Sequence, residues 1–212
     1  MNIYKSLAVT CMLCVASFAS HAAENFVVPP SESIGGISQT EWSRDWWQWA
    51  ASFDRAESPV ADRTGELCHL KQSGPVWFLA GTYGSKRTVR HCKVPRNKHL
   101  FFPLINYVTT RSPEGEASCA SVMRDSARLT DNIQALVLEL DGRRAESLEA
   151  HRMVTKCFNI AERATPKQFV FPAAANGYYV MLKPLPPGTH VLNFGGALPR
   201  ALQAVTYTLE VE

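Results

Sequence analysis

A chain of 212 residues with 22 Lys and Arg against 19 Asp and Glu carries a formal net charge of only +3. That charge is too small and too dispersed to argue for nucleic-acid binding. With 46% hydrophobic residues, 19% charged residues and five tryptophans, the composition excludes a disordered chain and fits a well-packed globular one.

Taken in chain order, residues 1–22 have the pattern of a secretory signal peptide. Lys5 gives a short positive region, residues 7–19 an uncharged and largely apolar run, and Ser20 to Ala23 a stretch with small residues for cleavage after Ala22. The apolar run is shorter than the roughly 18 residues a spanning helix needs. Cys11 and Cys14 lie inside it behind Thr10 and Leu13, which does not match a lipidation site. Cleavage would leave residues 23–212, remove Lys5 and lower the formal net charge by one, to +2. No second long apolar run follows, so no membrane span is expected after cleavage.

Residues 23–37, with Pro29-Pro30 and Gly35-Gly36, are expected to form an extended arm. Ser38 with Glu41 three residues on makes a capping box. Behind it Trp42, Trp46, Trp49 and Phe53 repeat at helical spacing, predicting a helix over 39–54 with one apolar stripe. From residue 75 the period changes to two. Residues 76–82 and 88–94 are predicted to be strands of a hairpin through Gly84-Ser85. A third strand follows over 100–109, a loop with Pro113 and Gly115, and a short helix over 118–130 with Val122, Met123, Ser126 and Leu129 turned inward. Further strands are expected over 133–140, closed by Asp141-Gly142, over 152–160, and over 178–185 and 190–194 flanking Pro186-Pro187-Gly188. In 204–212, Val205, Tyr207, Leu209 and Val211 alternate with Thr206, Thr208 and Glu210. Short strands with Gly/Pro turns predict a mainly β fold: an antiparallel β-sandwich of jelly-roll type, residues 38–212 forming one domain, with an N-terminal Trp-rich helix and one short additional helix.

Four cysteines remain after residue 22: Cys68, Cys92, Cys119 and Cys157. An even number in an exported chain reads as two disulfides. Cys68 precedes the first expected strand and Cys92 ends the second, so these two are expected to pair. Cys119 and Cys157 are left to tie the short helix to a later strand. Cys68-His69 and His91-Cys92 also raise the question of zinc. Neighbouring residues on a strand point to opposite faces, which argues against convergence on one ion, so no metal or other cofactor is expected.

Several long stretches, CHLKQSGPVWFLAG (68–81), RHCKVP (90–95), LFFPLIN (100–106), WWQW (46–49) and NGYYVMLKPLPPGTHVLNFGG (176–196), resemble a family of uncharacterised bacterial exported proteins. The resemblance covers most of the chain beyond residue 22. It implies export, a single domain and a β-rich fold, and it carries no activity. The chain departs from that pattern at Asn97, where the family has Gly, and at Asn176 and Tyr179, where it has Asp and Trp.

No nucleophile elbow, phosphate-binding loop or dinucleotide glycine pattern is present. The histidines at 69, 91, 99, 151 and 190 are scattered, without metal-ligand spacing. Asp54, Asp62, Glu66, Glu139 and Asp141 supply carboxylates, but a glycosidase needs two facing across a cleft, and Glu139 and Asp141 read as a solvated hairpin end. Trp47 falls well off the stripe of Trp42, Trp46 and Trp49, and an exposed Trp is a stacking platform for a sugar or other ligand. Arg90 is expected to bridge to Asp62 or Glu66 or to receive an anionic ligand, and Gln72 lies in the same matching stretch. Trp47, Arg90, Gln72 and Asp62 are therefore the candidate ligand-binding residues. The expected function is non-catalytic recognition of a glycan, envelope component or protein partner in the periplasm or outside the cell. The alternatives are an envelope hydrolase or lyase using a carboxylate with Arg90 on a concave sheet face, and a purely structural secreted factor.

Overall fold

A computed structural model of the protein describes residues 25–83, 86–110 and 117–212. The expected signal peptide, the Gly84-Ser85 turn and most of the Pro113 loop lie outside them.

The fold is a mainly β sandwich. One sheet has the order β1-β3-β7-β6, built from Val76–Phe78, His99–Thr110, Ala173–Leu182 and Arg152–Val154. The other has the order β2-β9-β8-β4-β5, built from Thr88–Val94, Ala201–Val211, Gly188–Leu198, Ala135–Leu140 and Arg143–Arg144. Leu100, Phe102 and Val180 of the first sheet meet Leu138, Leu192, Phe194 and Leu209 of the second in the central core. The other side of the four-stranded sheet is covered by helix α1, Gln39–Ala50, whose Trp42, Trp46 and Trp49 pack on Phe78, Phe101, Tyr179 and Met181. The described residues thus form three layers, and among them only the five-stranded sheet keeps a face without a layer over it.

α1 starts at the expected capping box: the Ser38 side chain accepts from Glu41 N–H, and the Glu41 carboxylate accepts from Ser38 N–H. It ends four residues earlier than predicted. Ala51 N–H still reaches Trp47 O, but Ser52 turns both its N–H and its hydroxyl back to Trp49 O and tightens the last turn. Phe53 stays on the stripe, edge-on to Trp49 at 5.8 Å. The second helix, α2, spans Cys119–Thr130 behind an N-cap at Ser118. Its buried stripe is Val122, Ser126 and Thr130, four residues apart, which leaves Leu129 46% exposed rather than inward.

The expected hairpin of β1 and β2 does not form. β1 pairs in parallel with β3, Val76 opposite His99, and β2 pairs in parallel with β9, Thr88 opposite Val205, in the other sheet. The burial patterns explain the separation. All three residues of β1 are buried, as a sheet covered on both sides requires, whereas β2 alternates buried and exposed, as suits the sheet with an open face. The strand expected over 152–160 is regular only to Val154, and β7 begins at Ala173, five residues before its expected start. The N-terminal arm is extended but held: Val28 N–H donates to Met181 O and Lys183 N–H to Phe26 O along the end of β7.

Both disulfides pair as expected, Cys68 with Cys92 and Cys119 with Cys157, with Cα–Cα distances of 6.0 and 5.8 Å. Among the described residues no helix is long and apolar enough to cross a membrane.

Candidate functional site

A broad concavity lies where α1 meets one end of the sandwich. It has a volume of about 460 Å³. α1 contributes Trp46 and Trp47, the segment after β1 contributes Thr82 and Tyr83, β3 contributes Asn106 and Tyr107, and the start of β9 contributes Leu202 and Gln203, with Arg200 just before it. The cleft therefore joins both sheets and the helix layer.

Local sequence holds this end open. Pro103 in β3 has no N–H to give its partner strand, and the pairing with β7 shifts register between Pro103 and Ile105. The side-chain amide of Gln203 serves the carbonyls freed there: Nε2 donates to Pro103 O at 2.7 Å and Leu104 O at 2.8 Å. Its Oε1 accepts from Thr82 N–H at 3.1 Å. Gln203 on β9 thus bolts together three of the cleft's walls. Gly81 is required beside it, because a Cβ there would run into Gln203 Oε1.

Trp47 is part of this cleft, but not as the free surface platform expected from its off-axis position. It is half-buried, edge-on to Trp46 at 5.2 Å, and its Nε1–H donates to the Tyr179 hydroxyl at 2.8 Å. The same hydroxyl accepts from Asn106 Nδ2 at 3.1 Å. Tyr179 is fully buried, and burial pushes its phenol well above the ordinary value, so it stays neutral and acts as a fixed acceptor. An indole in place of the phenol offers only a donor, and could not accept from Trp47 and Asn106 as the hydroxyl does.

The other three candidate residues are engaged inside the fold. Arg90 is 1% exposed. Its Nε donates to Asp62 O, its Nη1 to Ala80 O, Gly81 O and the Tyr207 hydroxyl, and its Nη2 to Val60 O, all at 2.8–3.2 Å. The expected bridge to Asp62 is made to its backbone carbonyl and not to its carboxylate, and the guanidinium has no side left for an anionic ligand. Gln72 runs along β1 like a short strand: Nε2 donates to Phe78 O and Cys68 O, and Oε1 accepts from Phe78 N–H. The Asp62 carboxylate accepts from Thr64 N–H and hydroxyl and from Leu67 N–H. Partial burial of Asp62 works against ionisation, but these hydrogen bonds outweigh it and hold the carboxyl below its ordinary value.

The remaining carboxylates are scattered. Asp54 and Glu66 are exposed, Glu139 accepts from Asn193 Nδ2 at 3.2 Å on the outer sheet face, and Asp141 pairs with His190 Nδ1 at 2.7 Å beside the Asp141-Gly142 turn. Tyr83, Tyr107, Asn106, Arg200 and Gln203 were not legible as site residues. The one available signal was a lone polar Gln203 between apolar neighbours at the start of β9, which the sequence pattern placed just outside the strand. Comparison with protein-family models, curated proteins and solved structures finds no match.

Proposed function

We propose that the protein is an exported recognition protein that holds a saccharide or another polyhydroxylated envelope component in the Trp47 cleft without transforming it. The observation carrying this reading is the chemistry of the cleft wall. Its described lining combines three aromatic types of surface, Trp47, Tyr83 and Tyr107, with the amides Asn106 and Gln203, and contributes no carboxylate, imidazole or thiol. Aromatic faces stack on the C–H faces of sugars and amides answer hydroxyls, whereas the carboxylates and imidazoles that most often carry acid–base chemistry are not among this lining. The Arg90 site imagined for a hydrolase is occupied by backbone carbonyls. Two disulfides and the signal-peptide pattern of residues 1–22, cleaved after Ala22, support a place in the periplasm or outside the cell, as does the resemblance to exported bacterial proteins.

The test is a screen of soluble glycans and cell-wall fragments against the purified protein by thermal shift. A ligand present at 100 times its Kd is expected to add about 2.7 kcal/mol to stability. Trp47→Phe, which keeps an aromatic ring but loses the indole donor, is expected to reduce the shift while the variant stays folded. A ligand whose shift is untouched by Trp47→Phe, or turnover of any fragment into product, would overturn the reading.

A further inference from the structure

A second cavity of about 440 Å³ opens beside the cleft and shares three lining residues with it, Val60, Thr82 and Tyr83. Its wall brings Arg55, Arg63 and Lys86 together, and Arg200 stands on the first cavity's wall. Among the described residues none of these four cations has an ion-pair partner; the carboxylates that do form bridges serve Arg44, Lys93, Arg152, Arg163 and His190 instead. The single carboxylate in the second wall, Asp62, spends its oxygens on Thr64 and Leu67. At the junction the Arg55 guanidinium lies over the Tyr83 ring, 5.3 Å from its centroid, and the ring itself is 56% exposed. One continuous surface thus runs from aromatic and amide groups to a wall where Arg55, Arg63 and Lys86 outnumber the single carboxylate of Asp62, leaving a net positive charge.

Resting on the saccharide reading of the cleft, we infer that its ligand is an acidic saccharide, a chain with hydroxyl-bearing rings for Trp47 and Tyr107 and carboxylate or phosphate groups for Arg55, Arg63, Lys86 and Arg200. A neutral sugar would leave the net positive charge of the two walls unanswered, with four cations against the one carboxylate of Asp62, whereas an anionic chain neutralises it. Guanidinium groups suit carboxylate and phosphate alike through paired N–H donors. The charges are exposed, so their contribution is screened by salt.

The experiment measures binding by isothermal calorimetry of the purified protein with three oligosaccharides of equal length: hexagalacturonate, a phosphate-bearing hexamannoside and neutral cellohexaose. Tighter binding of either acidic chain than of the neutral one, falling as NaCl rises, is expected. The carboxylate and phosphate arms distinguish which anion the cations prefer. The double variant Arg63→Ala/Lys86→Ala, with both changes on exposed side chains, is expected to bind the acidic chain about tenfold more weakly and the neutral one unchanged. Equal binding of acidic and neutral chains, insensitive to salt and to the double variant but weakened by Trp47→Phe, would overturn this inference and leave the cleft reading standing. Failure of all three chains to bind would overturn both.

Discussion

The two sheets meet the same core from opposite sides and obey different rules. All ten residues of β7, at the heart of the four-stranded sheet, are buried, and its sequence AAANGYYVML shows no alternation. β9, between β2 and β8 in the five-stranded sheet, buries Val205, Tyr207, Leu209 and Val211 while Leu202 and Glu210 face out. A strand's period is thus a report on how many layers cover its sheet. Where a face is open, its polar groups are answered across strands. Arg87 donates to Thr206, Thr206 to Asn193 and Asn193 to Glu139, in a strip over β9, β8 and β4. Where both faces are covered, polar groups are answered by backbone: Trp46 Nε1–H reaches Leu79 O and Trp49 Nε1–H reaches Leu70 O.

That contrast can be broken most sharply at α1. Trp46→Ala removes a ring that is 2% exposed and is expected to cost about 3–5 kcal/mol, read as a drop in urea midpoint at unchanged slope. A loss under 1 kcal/mol would mean that the helix layer is not part of the core. Next comes Arg90→Met, which keeps the length of the side chain but leaves the carbonyls of Val60, Asp62, Ala80 and Gly81 without its donors. A cost of about 3 kcal/mol is expected in the same assay. Gln203→Leu strands the carbonyls of Pro103 and Leu104 and should cost about 1–3 kcal/mol. Amide exchange should also rise around Thr82, whose N–H loses its acceptor. Unchanged protection at Thr82 would detach Gln203 from the cleft wall.

A smaller effect is expected from pH. His151 is 6% exposed with no partner at Nδ1, and its burial pulls the imidazole below its ordinary value of 6.5, against a weaker opposing contribution from the Tyr179 backbone. Below pH 6.5 the unfolded chain therefore takes up a proton that the folded one refuses. Stability should fall as pH drops from 6.5 toward the lowered folded value, and be level with respect to this group above 6.5. His99, lowered by burial in the same direction, adds to the slope. His151→Gln should flatten the slope, and an unaltered slope would assign it elsewhere. The smallest change belongs to the open face. Val89 and Val191 are 51% and 43% exposed, and changing either to Thr should move stability by no more than about 0.5 kcal/mol. A larger loss would show that this face is covered in solution.

What the sequence disclosed divides along the same line. The capping box, the tryptophan stripe and the alternation of β9 were legible, because each rests on local spacing; the cysteines pair as expected, although the hairpin of β1 and β2 from which the Cys68–Cys92 bridge was argued does not form. The placement of β1 and β2 in different sheets was not, since neighbouring apolar runs suggest a hairpin and only their distant partners β3 and β9 decide otherwise. Trp47 shows both halves. Its offset from the stripe is set by helical geometry and pointed to the cleft. Its anchoring depends on Tyr179, 132 residues away, and no local pattern carries that. Arg90 invited a reading as an exposed ligand group because arginine in a strand is usually solvated, yet four carbonyls from one loop and one strand end had converged on it.

The order of the five-stranded sheet governs when this protein can become itself. Among the nine described strands β9 is made last, and it sits between β2 and β8, holding both. Until it is synthesised, β2 has no neighbour in its sheet and β8 presents a bare edge. Such edges invite pairing with other chains. The pairing of β9 with β2 joins segments far apart in the chain, Thr88 opposite Val205, which makes for slow folding of high contact order. A nascent chain stalled or cleaved before Ala201 would therefore be a sticky and unfinished object, and completion of the five-stranded sheet is in effect timed by β9.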